Sequence, residues 1–495
     1  MNENPENINE KPYRKPVRIF EKSGVVNPVM SYYVPLENVC NSDKQDIKTM
    51  VDRGRYFSMF APRQSGKTTF LKETRRILHT DPTYVAVLLN FLDYKNLIKE
   101  NFYSLIEENL YGQLIDRLRE VDCEKAETVN HFLENHHLTD HISLRMLFNQ
   151  LNRILQFKKI VIFIDEFDGI PLHELENFLN ALRTLYHDYK ELQQKALYSV
   201  GLIGIRNITK LVVGGVSPFN IADHVELPPF SLKNVRDLYA QYTDETNQSF
   251  TEEAVKRVYE ETNGQTWLVN RLGAILTTNI KPETVEPIDG KDVEKALQIL
   301  LREKNDHFDN LYEKAKLYKE TFVEIIFDNV EYLAYDEEQS WLEQYGLIKD
   351  ENGHAAVANN IYKSIFVKTF FEEVNTYEDI PPQRYELPGN RLDMENILLD
   401  FEQYIAQIGV QAFYKEKKPY EKTGQFLLTA WLYQFVKGGG GELRYEVKSG
   451  LGIMDIMLTY KEYKYIIETK VNRQSNITRM LSQGIAQVAG KYLAS

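Results

Sequence analysis

Apolar and polar positions change rhythm several times along this chain, and each change marks an element. Tyr56-Phe57-Ser58-Met59-Phe60 is an apolar run after a short helical stretch, Asp46–Arg53, and predicts a strand. A polar loop and a helix from Gly66 to His79 follow, then a second buried strand at Tyr84–Phe91. Helical spacing continues to about Phe157. Ile160-Val161-Ile162-Phe163-Ile164 is apolar on both faces, as a central parallel strand must be. A helix over Glu174–Tyr189 and strands at Val200–Gly204 and Lys210–Gly214 complete the pattern. Strands alternating with helices predict an α/β domain with a parallel sheet over residues 36–230.

From Ser231 the pattern turns helical. Asn234–Thr243, Thr251–Thr262 and Thr266–Thr278 predict a helical lid over residues 231–300. A helical stretch from Lys291 leads to Trp341–Ile348, and Asp350–Gly353 with Ala355–Val357 adds a β-hairpin. Residues 301–380 therefore read as a winged-helix-like module, a type that binds DNA or only docks neighbouring domains; no basic recognition helix is visible. Thr376–Asn390 contains Pro381, Pro382, Pro388 and Gly389 and reads as a linker. Met394–Gln407 and Lys422–Val436 read as helices, Gly438–Gly441 as a break, and short strands run to Lys470 before a helix from Thr478. Together they form a last α/β domain over residues 391–495. The first 35 residues are a leader that packs or stays mobile.

At 495 residues the chain exceeds one ordinary hydrophobic core, which agrees with three or four domains. A net charge of -13 makes it a poor non-specific nucleic-acid binder as a whole, so charge has to be read domain by domain. Two cysteines, Cys40 and Cys123, give neither a disulfide framework nor zinc-ligand spacing, which fits a reducing cytoplasm. The polar N-terminus lacks an apolar signal core. No apolar run approaches the ~18 residues that span a bilayer. The expected location is cytoplasmic, with no membrane partner.

Ala61-Pro62-Arg63-Gln64-Ser65-Gly66-Lys67-Thr68 joins a strand to a helix, the context a phosphate loop requires. Gly66 lets successive N–H groups converge on phosphate oxygens, helped by the helix N-terminus. Gln64, Ser65, Gly66, Lys67, Thr68 and Thr69 are the expected nucleotide contacts. Lys67 would reach the β- and γ-phosphates, and Thr68 would place its hydroxyl on Mg²⁺. Ala61 stands where a first glycine is usual, which is tolerable away from positive φ.

Ile160–Ile164 delivers Asp165 and Glu166 to the carboxyl edge of a buried strand, where open α/β sheets bind ligands. Asp165 is expected to hold Mg²⁺ through water or Thr68, and Glu166 to polarise the attacking water. Asp168 is a spare. Arg206 either senses the γ-phosphate or is a surface arginine. Gly264-Gln265-Thr266-Trp267 opens a lid helix that either contacts nucleotide or is simply capped. ATP and Mg²⁺ are the expected cofactors.

Near the C-terminus, Met454–Leu458 reads as a strand, Lys461–Tyr463 as a turn and Lys464–Lys470 as the return strand. Glu468 and Lys470 are two apart and would share a face, with Asp455 across from them. Two carboxylates and a lysine there would bind Mg²⁺ between Asp455, Glu468 and the Thr469 carbonyl, while Lys470 orients water or stabilises the phosphorane. This arrangement suits phosphodiester cleavage, with DNA as partner. Glu421 and Gln425 are further members, and Lys461, Lys464, Lys470, Arg473, Arg479 and Lys491 make this end locally basic.

On these residues the chain resembles a bacterial group of AAA-like P-loop ATPases fused to a C-terminal PD-(D/E)XK nuclease-like domain. Met59–Thr69 is similar to the group's APRQ-x-GKT loop, which accounts for Ala61. Ser217–Ala222 and Thr262–Asn270 resemble its sheet end and lid, with Thr266 where the group usually has proline. Gly438–Tyr445, Asp455 and Glu468-Thr469-Lys470 resemble its nuclease core, and Gln483 and Gln487 its trailing helix. The resemblance implies an ATPase whose nucleotide state controls a nuclease, action as a homo-oligomer, and, from the domain pairing, defence against foreign DNA. It also implies a further strand after the last helix, so the nuclease-like domain is expected to be clipped or truncated at Ser495. The rival expectation is a regulatory ATP switch whose C-terminal domain docks nucleic acid or protein without cutting.

Overall fold

The computed structural model describes residues 12–192, 197–205, 219–327, 330–374, 382–408, 428–429, 431–433, 441–449 and 452–469. It divides into two units. The first holds Met1–His307, Trp341–Leu347 and Ala358–Ile361; the second holds Phe308–Ser340, Ile348–Val357 and Tyr362–Ser495.

In the first unit a short strand β1 (Cys40–Asn41) and helix α1 (Ile47–Asp52) precede β2 (Phe57–Phe60), α2 (Lys67–Leu78) and β3 (Tyr84–Asn90). Three helices follow, α3 (Lys99–Val121), α4 (Cys123–Leu133) and α5 (His141–Leu155), then β4 (Lys159–Asp165), α6 (Leu172–Leu192), β5 (Ser199–Gly204) and β6 (Asp223–Glu226). The sheet order is β1-β6-β2-β5-β4-β3, parallel throughout except that β1 runs against β6. Strand alternation divides the core into two layers. Ile160, Ile162 and Ile164 of β4 join the cluster with α3, α5 and α6, whereas Val161 and Phe163 face Met59 and Leu71. Each such side chain taken from water is worth roughly 1.5–3 kcal/mol.

β6 is a correction to the sequence reading, which passed over Asp-His-Val-Glu. Only Val225 in it is buried, so the segment carries too little apolar signal to read as a strand. The strand expected at Lys210–Gly214 lies outside the described residues.

The lid consists of α7 (Leu232–Thr246), α8 (Glu252–Thr262), α9 (Thr266–Ile275) and α10 (Gly290–Leu300), and a single π turn, Leu276–Ile280, prolongs α9. Side-chain caps start these helices: Ser231 on α7, Thr251 on α8 and Asp289 on α10. Each such cap is worth about 1 kcal/mol.

The leader packs on this lid. Phe20 sits 4.8 Å from the Tyr32 ring and 5.4 Å from Tyr239. Arg18 and the Tyr33 carbonyl both bond to Gln241, and the Tyr32 hydroxyl donates to Glu245 at 2.5 Å.

The later elements are α11 (Asp306–Ala315), α12 (Lys319–Phe327), α13 (Glu337–Gln344), the hairpin β7 (Ile348–Glu351) and β8 (His354–Val357), and α14 (Asn360–Val374). Helices and a β-hairpin thus follow one another as the sequence pattern predicts. Part of the expected linker is folded instead: β9 (Glu386–Leu387) and β10 (Arg391–Leu392) form a hairpin. Its Pro-Gly signal marks the tight turn, where Gly389 and Asn390 take positive φ, while Tyr385 and Leu392 are buried. That small core also contains Ile397 of α15 (Met394–Ile408), Leu428, Trp431 and Leu432. It extends to Ile456 and Leu458 in the antiparallel sheet β11 (Gly441–Ser449), β12 (Gly452–Tyr460) and β13 (Tyr463–Ile467). The rest of the expected helix Lys422–Val436, most of the Gly438–Gly441 break and the helix from Thr478 with Gln483 and Gln487 fall outside the described residues. Among the described residues, no helix is long and apolar enough to cross a membrane.

Candidate active site

The loop between β2 and α2 is shaped by two left-handed residues, Gln64 (φ 57°) and Gly66 (φ 92°). Gly66 caps the helix that begins at Lys67, and a residue without a Cβ adopts that conformation at little cost. Ala61 does not have positive φ, so alanine fits there. Its N–H donates to the Gly204 carbonyl at 3.1 Å and fastens the loop to the end of β5. Inside the loop, Ser65 Oγ donates to the Pro62 carbonyl at 2.8 Å. Lys67 Nζ donates to the carbonyls of Ala61 (2.8 Å) and Pro62 (2.7 Å). Burial pushes the Lys67 ammonium pKa down; Glu166, Asp165 and Asp168 pull it back up, and Arg63 adds to the lowering.

β5 lies between the strand that feeds the loop and the strand that ends in Asp165. Even so, Thr68 Oγ1 reaches across to donate to Asp165 Oδ2 at 2.6 Å. Asp165 is 1% exposed, and its Oδ1 accepts the Glu166 N–H at 3.0 Å. Glu166 is held in the left-handed region (φ 51°, ψ 42°), a conformation that costs a non-glycine residue about 1–3 kcal/mol and clusters at working sites. Burial pushes its carboxyl pKa up, Lys67 opposes this, and Asp165 and Asp168 reinforce it. Asp168 is committed elsewhere: Oδ1 accepts the Ile205 N–H at 2.9 Å and holds the end of β5. Arg206 lies outside the described residues.

The lid reaches the same loop. Thr266 Oγ1 donates to the Gln64 carbonyl at 2.7 Å, and Gln265 Nε2 approaches the same oxygen at 3.4 Å. A proline at residue 266 would supply no such donor. Thr69 turns toward the leader, its Oγ1 accepting the Val26 N–H at 3.2 Å.

Beside these contacts opens a cavity walled by Val26, Tyr33, Leu36, Phe70, Phe230 and Trp267 and reaching Gly66 and Thr69. The leader forms much of the wall, a role the sequence reading did not give it; Val29–Leu36, an apolar run interrupted by Ser31, was the available signal. Two further neighbours of the loop were also missed. A Cβ on Gly346 (φ 73°) would lie 2.6 Å from Pro62 Cγ, so this turn presses directly on the loop. His307 sits against Trp267 with ring centroids 4.7 Å apart, and burial together with the Arg63 charge pushes its pKa down to about 4.

At the C-terminal sheet, the structure alters one expectation. β13 ends at Ile467, so Glu468 follows the strand instead of lying on it. The last register pair between β12 and β13 is Ile456–Ile467. Asp455 on β12 and Glu468 are the next backbone positions beyond that pair. Lys470 lies outside the described residues, as do Glu421 and Gln425.

A mostly parallel α/β sheet, a loop of this geometry and an acidic strand end define a P-loop ATPase-like domain. The chain belongs to the AAA-like domain family, whose model matches residues 22–368. No curated protein matches the sequence. Among solved structures, the Walker-type ATPase PABY2304 of Pyrococcus abyssi is 14% identical, covering 67% of this chain and 98% of its own, with a TM-score of 0.46. The Thermotoga maritima RuvB Holliday junction branch migration motor is 13% identical over 65% of this chain and 91% of its own, with a TM-score of 0.33. Cdc6p from Pyrobaculum aerophilum is 11% identical over 64% of this chain and 88% of its own, with a TM-score of 0.32.

Proposed function

We propose that this chain is a Mg²⁺-dependent ATP hydrolase whose nucleotide state controls a DNA-cutting C-terminal domain. The first half is carried by the 2.6 Å contact from Thr68 to Asp165 beside the buried Lys67. A hydroxyl and a carboxylate are hard oxygen donors, a set that suits Mg²⁺, which keeps water and phosphate oxygens as its remaining ligands. Bound there, Mg²⁺ would neutralise charge developing on the β- and γ-phosphates. Lys67 exchanges the carbonyls of Ala61 and Pro62 for phosphate oxygens, and the N–H groups at the start of α2 complete the cradle. Glu166, its pKa raised by burial, takes up a proton more readily than an ordinary glutamate and polarises the attacking water.

The second half is supported by the adjacency of Asp455 and Glu468 just past the last β12–β13 pair, on a locally basic hairpin. Lys470 completes that reading as the group stabilising the phosphorane. Such a pairing of activities suits defence against foreign DNA. The test is DNA cleavage with Mg²⁺ or Mn²⁺, with and without ATP, comparing wild type with Glu468→Ala/Lys470→Ala. ATP-sensitive cutting that disappears in the double variant is the expected result. A folded wild type that hydrolyses ATP yet cuts neither DNA nor RNA would leave a regulatory ATP switch in its place.

A further inference from the structure

The cavity beside the phosphate loop is walled by many apolar side chains, and two lining residues, Gln64 and Asn270, carry amides; Gln64 is exposed and Asn270 is buried. Asn270 lies on α9, one helical turn past Thr266, and is only 6% exposed. Its Nδ2 donates to the Thr266 carbonyl at 2.9 Å. That bond fixes which end of the amide is which, since a carbonyl accepts only from the nitrogen. The other end, Oδ1, is buried with no hydrogen-bond partner in the protein. A buried acceptor left unpaired costs about 1–3 kcal/mol, so its retention in a wall of Tyr33, Leu36, Phe70, Phe230 and Trp267 calls for a partner from outside the chain.

The cavity narrows the identity of that partner. It reaches Gly66 and Thr69, so a nucleotide whose phosphates rest on the loop sends its base among these side chains. An acceptor requires a donor, and the two common purine types differ at that edge. Adenine carries an exocyclic amine at C6, which donates. Hypoxanthine and guanine carry a carbonyl at C6, which in the same pose would face Oδ1 acceptor to acceptor, their N1–H donor lying one ring atom away. We infer that Asn270 Oδ1 is the specificity-determining acceptor for the adenine 6-amino group, selecting adenine over 6-oxopurine nucleotides. This rests on the nucleotide-site reading above and adds to it the residue that reads the base.

Calorimetric titration of the full chain with ATP and with inosine triphosphate, in Mg²⁺, tests it. The two ligands share sugar and phosphates and differ at the purine 6-position. Wild type is expected to bind ATP roughly ten- to hundred-fold more tightly, the range for leaving a buried polar group unpaired. Asn270→Leu, close in size and free of the unpaired acceptor, should weaken ATP until the ratio approaches one, with inosine triphosphate little changed. It should also melt no lower than wild type without ligand. Equal affinities in wild type, a preserved ATP preference in Asn270→Leu, or loss of both nucleotides in a folded Asn270→Leu would each overturn the inference while the nucleotide site stands. A wild type that binds neither ligand would overturn the site reading and this inference together.

Discussion

Glu166 and Glu468 each follow the end of a β-strand, but the two strands are held differently. β4 has hydrogen-bonded neighbours on both sides and apolar cores on both faces, so Asp165 is fixed in depth and register. β13 pairs only with β12 among the described strands and stops one residue before Glu468. The first arrangement buries carboxylates enough to move a pKa, as at Glu166. The second leaves Lys464 exposed on a hairpin, while Lys461 is paired with Glu386. A deep strand end tunes chemistry by burial, whereas an edge hairpin leaves its side chains closer to solvent.

Four substitutions press on that contrast. Lys67→Ala should have the largest effect, weakening Mg·ATP binding by two orders of magnitude or more (~100-fold) in calorimetry and abolishing turnover. Normal ATPase in that variant would remove the site from the loop. Glu166→Gln should slow hydrolysis by roughly 10²–10⁴ while binding stays within a few-fold. Because burial raises the Glu166 pKa, the carboxylate is lost at a higher pH than for an ordinary glutamate as the medium is acidified. The acid limb of the wild-type rate should therefore lie above the usual carboxylate range, and residual activity in Glu166→Gln should lack it. An unchanged limb in the variant would assign the titration to another group. Asp455→Asn should cut DNA cleavage by about 10² and leave ATP hydrolysis within two-fold (~2-fold). If both fall together, the two acid sets are not separable. Thr266→Val, which removes the lid's 2.7 Å bond to Gln64, should weaken ATP only about three- to ten-fold, read by competition binding.

Much of the nucleotide-side architecture was legible because it is local. Ile160–Ile164 is apolar on both faces, and Gly66-Lys67-Thr68 lies between a strand and a helix, so neighbouring residues alone state the case. The same holds for α7, α8 and α9, whose starts carry Ser231, Thr251 and Gln265 as caps. What escaped was set by partners far along the chain. β6 is a strand only because β2 and β1 pair with it, since three of its four residues are polar. The cavity wall at Tyr33 and the press of Gly346 on Pro62 depend on folding, and no window of sequence contains both sides of either contact. The linker at Thr376–Asn390 misled for another reason: Pro388-Gly389 signals a turn equally well inside a hairpin and between domains.

The packing of the leader on α7 also sets an order of events during synthesis. Tyr32 and Tyr33 emerge from the ribosome early, whereas their partners Glu245 and Gln241 lie 213 and 208 residues later. At common elongation rates that separation is roughly 10–40 s. During that interval the aromatic run waits without its lid, exposed to chaperones and to other nascent chains. The cavity wall therefore closes only after the ribosome has passed the lid, and a nucleotide cannot find a finished pocket on a shorter chain.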